Sequence, residues 1–167
     1  MTAVDELLAF LRATWDARCA QLDEDEQVAR ECGDYGRWRV TSDGYLADDA
    51  GVQAIGPWDT SVGDVEHIAR WDPKRVLDEV TLERADIDAK RAILDLHAPQ
   101  PTGYVDGVYY HGEAGQLQCE HCAEQCHSHS GVSCDMPDAP WPCPTVRLLA
   151  QPYAGRPGWR EEWRDQG

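Results

Sequence analysis

The feature that most constrains this chain is Cys119-Glu-His-Cys-Ala-Glu-Gln-Cys-His-Ser-His-Ser-Gly-Val-Ser-Cys-Asp-Met-Pro-Asp-Ala-Pro-Trp-Pro-Cys143, which holds five of the 7 cysteines and three of the 6 histidines. It has almost no aliphatic side chains to bury, so bonds to a metal must supply the order that burial cannot. Structural zinc takes four nitrogen or sulfur ligands at tetrahedral corners, and the turn Cys119-Glu-His-Cys122 brings two thiolates to one side of a tight loop. Cys134 and Cys143 can return the second pair across a loop stiffened by Pro137, Pro140 and Pro142. The expected zinc ligands are therefore Cys119, Cys122, Cys134 and Cys143, with His121, Cys126, His127 and His129 open as substitutes. Cys119, Cys122, Cys126 and Cys134 could instead carry an iron–sulfur cluster. Haem is disfavoured, because Cys122-Ala-Glu-Gln-Cys126-His127 has one residue too many for the usual attachment pattern.

A catalytic zinc would need an open water position and a neighbouring base, and Glu120, His121 and Glu124 lie beside the ligands. The flanking motifs do not support it. The deaminase pair of signatures, the metalloprotease His-Glu-x-x-His, the Gly-x-Ser-x-Gly elbow, the phosphate-binding Gly-rich loop and the dinucleotide fingerprint are all absent. A closed, structural site is the favoured reading.

Lys and Arg total 15 against 31 Asp and Glu, and the resulting charge of −16 repels phosphate backbones and anionic lipid. Direct binding to nucleic acid or membrane is not expected. The N-terminal Met-Thr-Ala-Val-Asp-Glu carries acids where a signal peptide carries bases, and no apolar run approaches a membrane span, so a cytoplasmic location is expected. Thiols there stay reduced, which favours ligands over disulfides.

At 167 residues the expectation is one domain, divided into a helix–hairpin–helix core over 1–97, a loop and knuckle over 98–143, and short helices packing back over 144–167. Val4, Leu7, Leu8, Leu11, Trp15, Cys19 and Leu22 recur in steps of three and four, laying one stripe along a long helix that Gly33 would stop. Cys19 and Cys32 read as packed or half-buried thiols. Over 37–57, alternating runs around Ser42-Asp43-Gly44 predict a small antiparallel hairpin or meander ended by Gly56-Pro57. Ser61 to Asp64 resembles a capping box for a short helix, and Asp72-Pro73 caps a second long helix reaching about His97. Its inward residues are expected to be Val76, Leu77, Val80, Ile87, Ile93 and Leu94, and the two long helices to pack antiparallel. His67 and His97 read as solvated or packed histidines. Tyr104 to Tyr110, around Asp106-Gly107, suggests a strand or turn, and Pro144 starts a short apolar helix. Trp159 and Trp163 would share a helical face as a lid on the core. The fold class is α+β, mostly helical.

Three segments resemble an uncharacterised family of small acidic proteins from Streptomyces, other actinobacteria and their phages. They are Leu22-Asp-Glu-Asp-Glu-Gln-Val-Ala-Arg30; His67-Ile-Ala-Arg-Trp-Asp-Pro-Lys-Arg-Val-Leu77 with Lys90-Arg-Ala-Ile-Leu94; and Trp141-Pro-Cys-Pro-Thr-Val-Arg-Leu-Leu-Ala150 with Pro152-Tyr153-Ala154 and Glu161-Glu-Trp163. The resemblance implies an actinobacterial or phage setting and no activity. Its members differ in whether a cysteine knuckle precedes the last segment, so it supplies neither the metal nor a catalytic residue. The functional expectation is a non-enzymatic, zinc-stabilised module that binds a protein partner. The alternatives are an acidic nucleic-acid mimic that blocks a DNA-binding protein, a zinc metalloenzyme, and an iron–sulfur redox sensor.

Overall fold

The computed structural model of the chain describes residues 3–32, 37–48, 51, 53–55, 62–105, 108–110, 116–119, 121–122 and 140–164. Helix dominates. Helix α1 spans Ala3–Glu31, α2 Val62–Arg70, α3 Pro73–Leu96 and α4 Pro144–Ala150, followed by 3-10 turns at Gln151–Tyr153 and Glu161–Trp163. Two-residue strands β1 (Arg39–Val40) and β2 (Leu46–Ala47) pair with β3 (Gln53–Ile55) as the expected antiparallel meander, in the order β1-β2-β3. Gly44 closes the turn at φ 81°, a conformation that only glycine adopts cheaply, with its N–H donating to Thr41 O at 3.0 Å. Gly33, Gly56, Pro57, Ser61, Asp106 and Gly107, which carried expectations about stops, a cap and a turn, lie outside the described residues.

The chain groups into two compact units, Met1–Thr14 with Asp88–Gly167, and Trp15–Ile87. In the second unit the expected stripe of α1 is buried at Trp15 and Leu22, with Cys19 half-buried, and Ala29 of α1, Val80 and Ile87 of α3, Val65 of α2 and Leu46 of β2 are buried too. The start of α3 follows the sequence closely. Asp72 Oδ1 accepts the Arg75 N–H at 2.8 Å, and Pro73 occupies the first helical position, where a missing N–H costs nothing. On the outside, Arg18 makes a two-point pair with Glu83 at 2.7 and 2.6 Å, and Arg84 reaches Asp23 and Glu26. Bonding to Glu83 raises the Arg18 pKa.

In the first unit Leu7 and Leu11 of α1 and Leu94 of α3 are buried, and Arg12 stands 3.9 Å from Asp95. An early residue of α1 thus meets a late one of α3: the two helices run antiparallel, as expected. Ile93 corrects the expected inward set, because it is 37% exposed. Val80, Ile87 and Leu94 recur every seven residues on one stripe, and Ile93 lies about 100° around the helix from Leu94.

After α3 the chain makes short strands that link distant residues. β4 (Pro99–Pro101) pairs antiparallel with β7 (Leu117–Cys119), in the register Pro99↔Cys119 and Pro101↔Leu117. β5 (Gly103–Val105) pairs with β6 (Val108–Tyr110). Pro140 bridges to Gln118, and Trp141 N donates to Leu117 O at 2.9 Å, which lays the approach to Cys143 along β7. The Trp141–Pro142 peptide is cis.

The tail differs from expectation in one respect. Only Glu161–Trp163 is helical there, and as a 3-10 turn, so Trp159 and Trp163 do not share a helical face. They meet edge to face with centroids 5.7 Å apart, and both pack on Phe10, at 6.1 and 5.2 Å. Gly158, at φ 89°, lets the chain pass where a Cβ would stand 3.4 Å from the Phe10 ring. Trp163 is buried, in keeping with a lid.

Candidate metal centre

Four potential ligands converge in the first unit: His97, Cys119, Cys122 and Cys143, with their ligand atoms all within 4.8 Å of one another. Each arrives from a different piece of local structure. His97 follows the last turn of α3, its N–H donating to Ile93 O at 3.0 Å. Cys119 ends β7, and its register opposite Pro99 brings it back within two residues of His97. Cys122 lies three residues beyond, across the Cys-x-x-Cys turn. Cys143 takes the N-cap position of α4 with extended backbone, φ −68° and ψ 165°.

His97, Cys119 and Cys143 are buried, at 8%, 0% and 0% exposure, and Cys122 is half-buried. The His97 Nδ1 atom stands 3.2 Å from Cys119 Sγ, 3.5 Å from Cys143 Sγ and 3.7 Å from Cys122 Sγ. One imidazole nitrogen carries either one proton or one lone pair, so it cannot satisfy three thiols by hydrogen bonding. A central cation can. Tetrahedral zinc, with bonds of about 2.3 Å to sulfur and about 2.05 Å to nitrogen, gives N···S edges of about 3.6 Å. The three observed separations bracket that edge, so the donor set fits a tetrahedral ion in its chemistry and in its nitrogen-to-sulfur spacing.

Burial pushes the Cys119 thiol up to about 12 and raises Cys122 as well, while burial, then the neighbouring His121, lowers His97. The thiols are therefore neutral in the bare pocket, and binding a metal there would release their protons. Around the four, the Trp141 indole N–H donates to His97 O at 2.9 Å, and the His121 ring lies edge-on to His97 at 5.0 Å. Arg147 of α4 donates to Pro142 O at 3.0 Å, Glu162 O at 3.1 Å and Arg164 O at 3.4 Å, tying the residue before Cys143 to the Trp163 turn.

Of the ligands expected from sequence, the structure brings Cys119, Cys122 and Cys143 together. Cys134 lies outside the described residues, as do Cys126, His127, His129, Glu120, Glu124 and Pro137. His121 is beside the cluster but is not one of the four. His97, read from sequence as a solvated or packed histidine, is buried against three thiols. It stands 22 residues before Cys119, and the pairing of β4 with β7 that closes this distance rests on a Pro-Gln-Pro strand with no apolar alternation to announce it. Cys19 and Cys32 stand apart and half-buried, as expected, and His67 is exposed.

The model of a family of unknown function, DUF6221, matches residues 4–165. No curated protein and no solved structure gives a significant match to the chain.

Proposed function

We propose, from the premise that the chain belongs to the DUF6221 family and takes no activity from it, that this protein is a non-enzymatic, zinc-stabilised module that acts by binding a protein partner. The observation that carries the reading is the closed donor set. Three thiols and one imidazole are the number and kind of ligands that a closed tetrahedral zinc takes, and a zinc held by all four would have no position for the water a hydrolytic zinc requires. His97 rather than Cys134 is the fourth ligand in this reading. The charge of −16 favours a partner with a cationic surface, and the exposed Val28, Trp71 and Leu82 offer apolar contact area. No helix among the described residues is long and apolar enough to cross a membrane. A cytoplasmic setting in an actinobacterium or its phage completes the proposal.

The test is elemental analysis of protein purified without added metal, on the parent chain and on His97→Ala, Cys143→Ser and Cys134→Ser. The expected result is about one zinc per chain, lost in the first two variants and retained in the third. Iron with a visible chromophore would replace zinc by a redox centre, absence of metal would end the reading, and loss of zinc in Cys134→Ser would remove His97 from its assigned role.

A further inference from the structure

In the second unit, α1, the start of α3 and the segment entering β1 enclose a cavity of about 350 Å³, within the size range of side-chain and ligand pockets. Two indoles, Trp38 and Trp71, stand over an aliphatic floor, with Asp25, Glu79 and Glu83 facing one cation, Arg18. Three carboxylates stand against one guanidinium in this lining, and against two once Arg75, paired with Glu79 at the rim, is counted, so the cleft keeps one negative charge in excess. Arg18 is already engaged: its guanidinium pairs with both oxygens of Glu83 and stands 3.8 Å from Asp25.

The rim displays the chemistry it selects. Arg75 places its guanidinium 5.8 Å from the centroid of Trp71, which is 54% exposed, and binds Glu79 at 2.8 Å, so an indole face and a carboxylate already hold a cation between them. Trp38 adds a second indole to the lining, and an indole is the strongest π face for a cation.

We propose that this cleft receives the guanidinium or ammonium group of an arginine or lysine side chain presented by a partner protein, which deepens the partner reading above and rests on it. The overall charge of −16 steers such a partner toward the chain and disfavours phosphate or anionic lipid as the occupant.

The test uses the full zinc-loaded chain and a blocked Gly-Leu-Arg-Leu-Gly peptide, with its lysine and citrulline counterparts and free ethylammonium as comparisons. Indole N–H signals of Trp38 and Trp71, assigned through Trp38→Phe and Trp71→Phe, are followed by NMR. Expected are saturable shifts with the arginine and lysine peptides, at least tenfold weaker binding of the citrulline peptide and of the arginine peptide to Glu79→Gln, and weakening with salt. Arg75→Gln, which removes the internal competitor, should tighten binding several-fold. Equal binding of the citrulline peptide, no saturable shift, or ethylammonium binding as well as the peptides would overturn the proposal. Zinc content measured on the same samples separates this outcome from the metal reading, which stands if one zinc per chain persists without peptide binding.

Discussion

The two units of this chain solve the same problem with different physics. Trp15–Ile87 buries a stripe of large apolar residues, among them Trp15, Leu22, Val80 and Ile87, and dresses the outside with ion pairs such as Arg18–Glu83. The other unit also has apolar contacts, Leu7, Leu11 and Leu94 among them, but its irregular part consists of three-residue strands, proline-rich connections and a seven-residue helix. Such pieces are too short to be stable alone. They converge on His97, Cys119, Cys122 and Cys143, so in the proposed reading coordination bonds supply what apolar area supplies elsewhere. The contrast teaches that a low aliphatic content need not mean disorder when four donors can be gathered at one point.

The largest effect should come from removing the metal. Structural zinc contributes on the order of 10 kcal/mol in small domains. Chelation or His97→Ala is therefore expected to abolish hydrogen-exchange protection over Leu117–Cys119 and the Arg147–Ala150 end of α4, while α1 and α3 within Trp15–Ile87 keep theirs. Equal loss in both units would erase the comparison. The converse experiment is Trp15→Ala, which empties a fully buried site and should cost about 4 kcal/mol in denaturant unfolding while leaving zinc stoichiometry unchanged. Next in size is Arg147→Ala. It deletes donors to three carbonyls around Cys143 and the Trp163 turn, for an expected loss of about 2 kcal/mol, with zinc retained but released faster to a chelator.

How much of this was legible in the sequence follows the same division. In Trp15–Ile87 the signals are local: periodicity placed Trp15 and Leu22 on the buried face, and Asp72-Pro73 announced the start of α3. Ile93 was misplaced because a neighbouring apolar pair, Ile93-Leu94, offers two candidates for one inward position and only packing chooses. At the candidate metal centre Cys119 and Cys122 were legible, because their spacing is itself the geometry, and Cys143 as a returning thiol. His97 was not, since its role depends on a strand register set 22 residues away. The tryptophans of the tail were read correctly as a lid on the core and wrongly as helical, because burial on Phe10 can be met by a 3-10 turn as well as by an α-helix.

The smallest predicted effect tests the local end of the comparison. Asp72 is buried, and its Oδ1 satisfies the N–H of Arg75, one of the four donors that the first turn of α3 cannot pair within the helix. Asp72→Ala should cost about 1 kcal/mol. Asp72→Asn or Asp72→Ser should recover most of it, because either side chain presents an oxygen to the same N–H without the negative charge. Recovery by asparagine would identify the hydrogen bond as the source of the stabilisation. Recovery by neither would assign it to attraction between the carboxylate and the helix N-terminus, which added salt would weaken. In both cases zinc content should not move, since Asp72 belongs to the unit that holds none of the four candidate ligands.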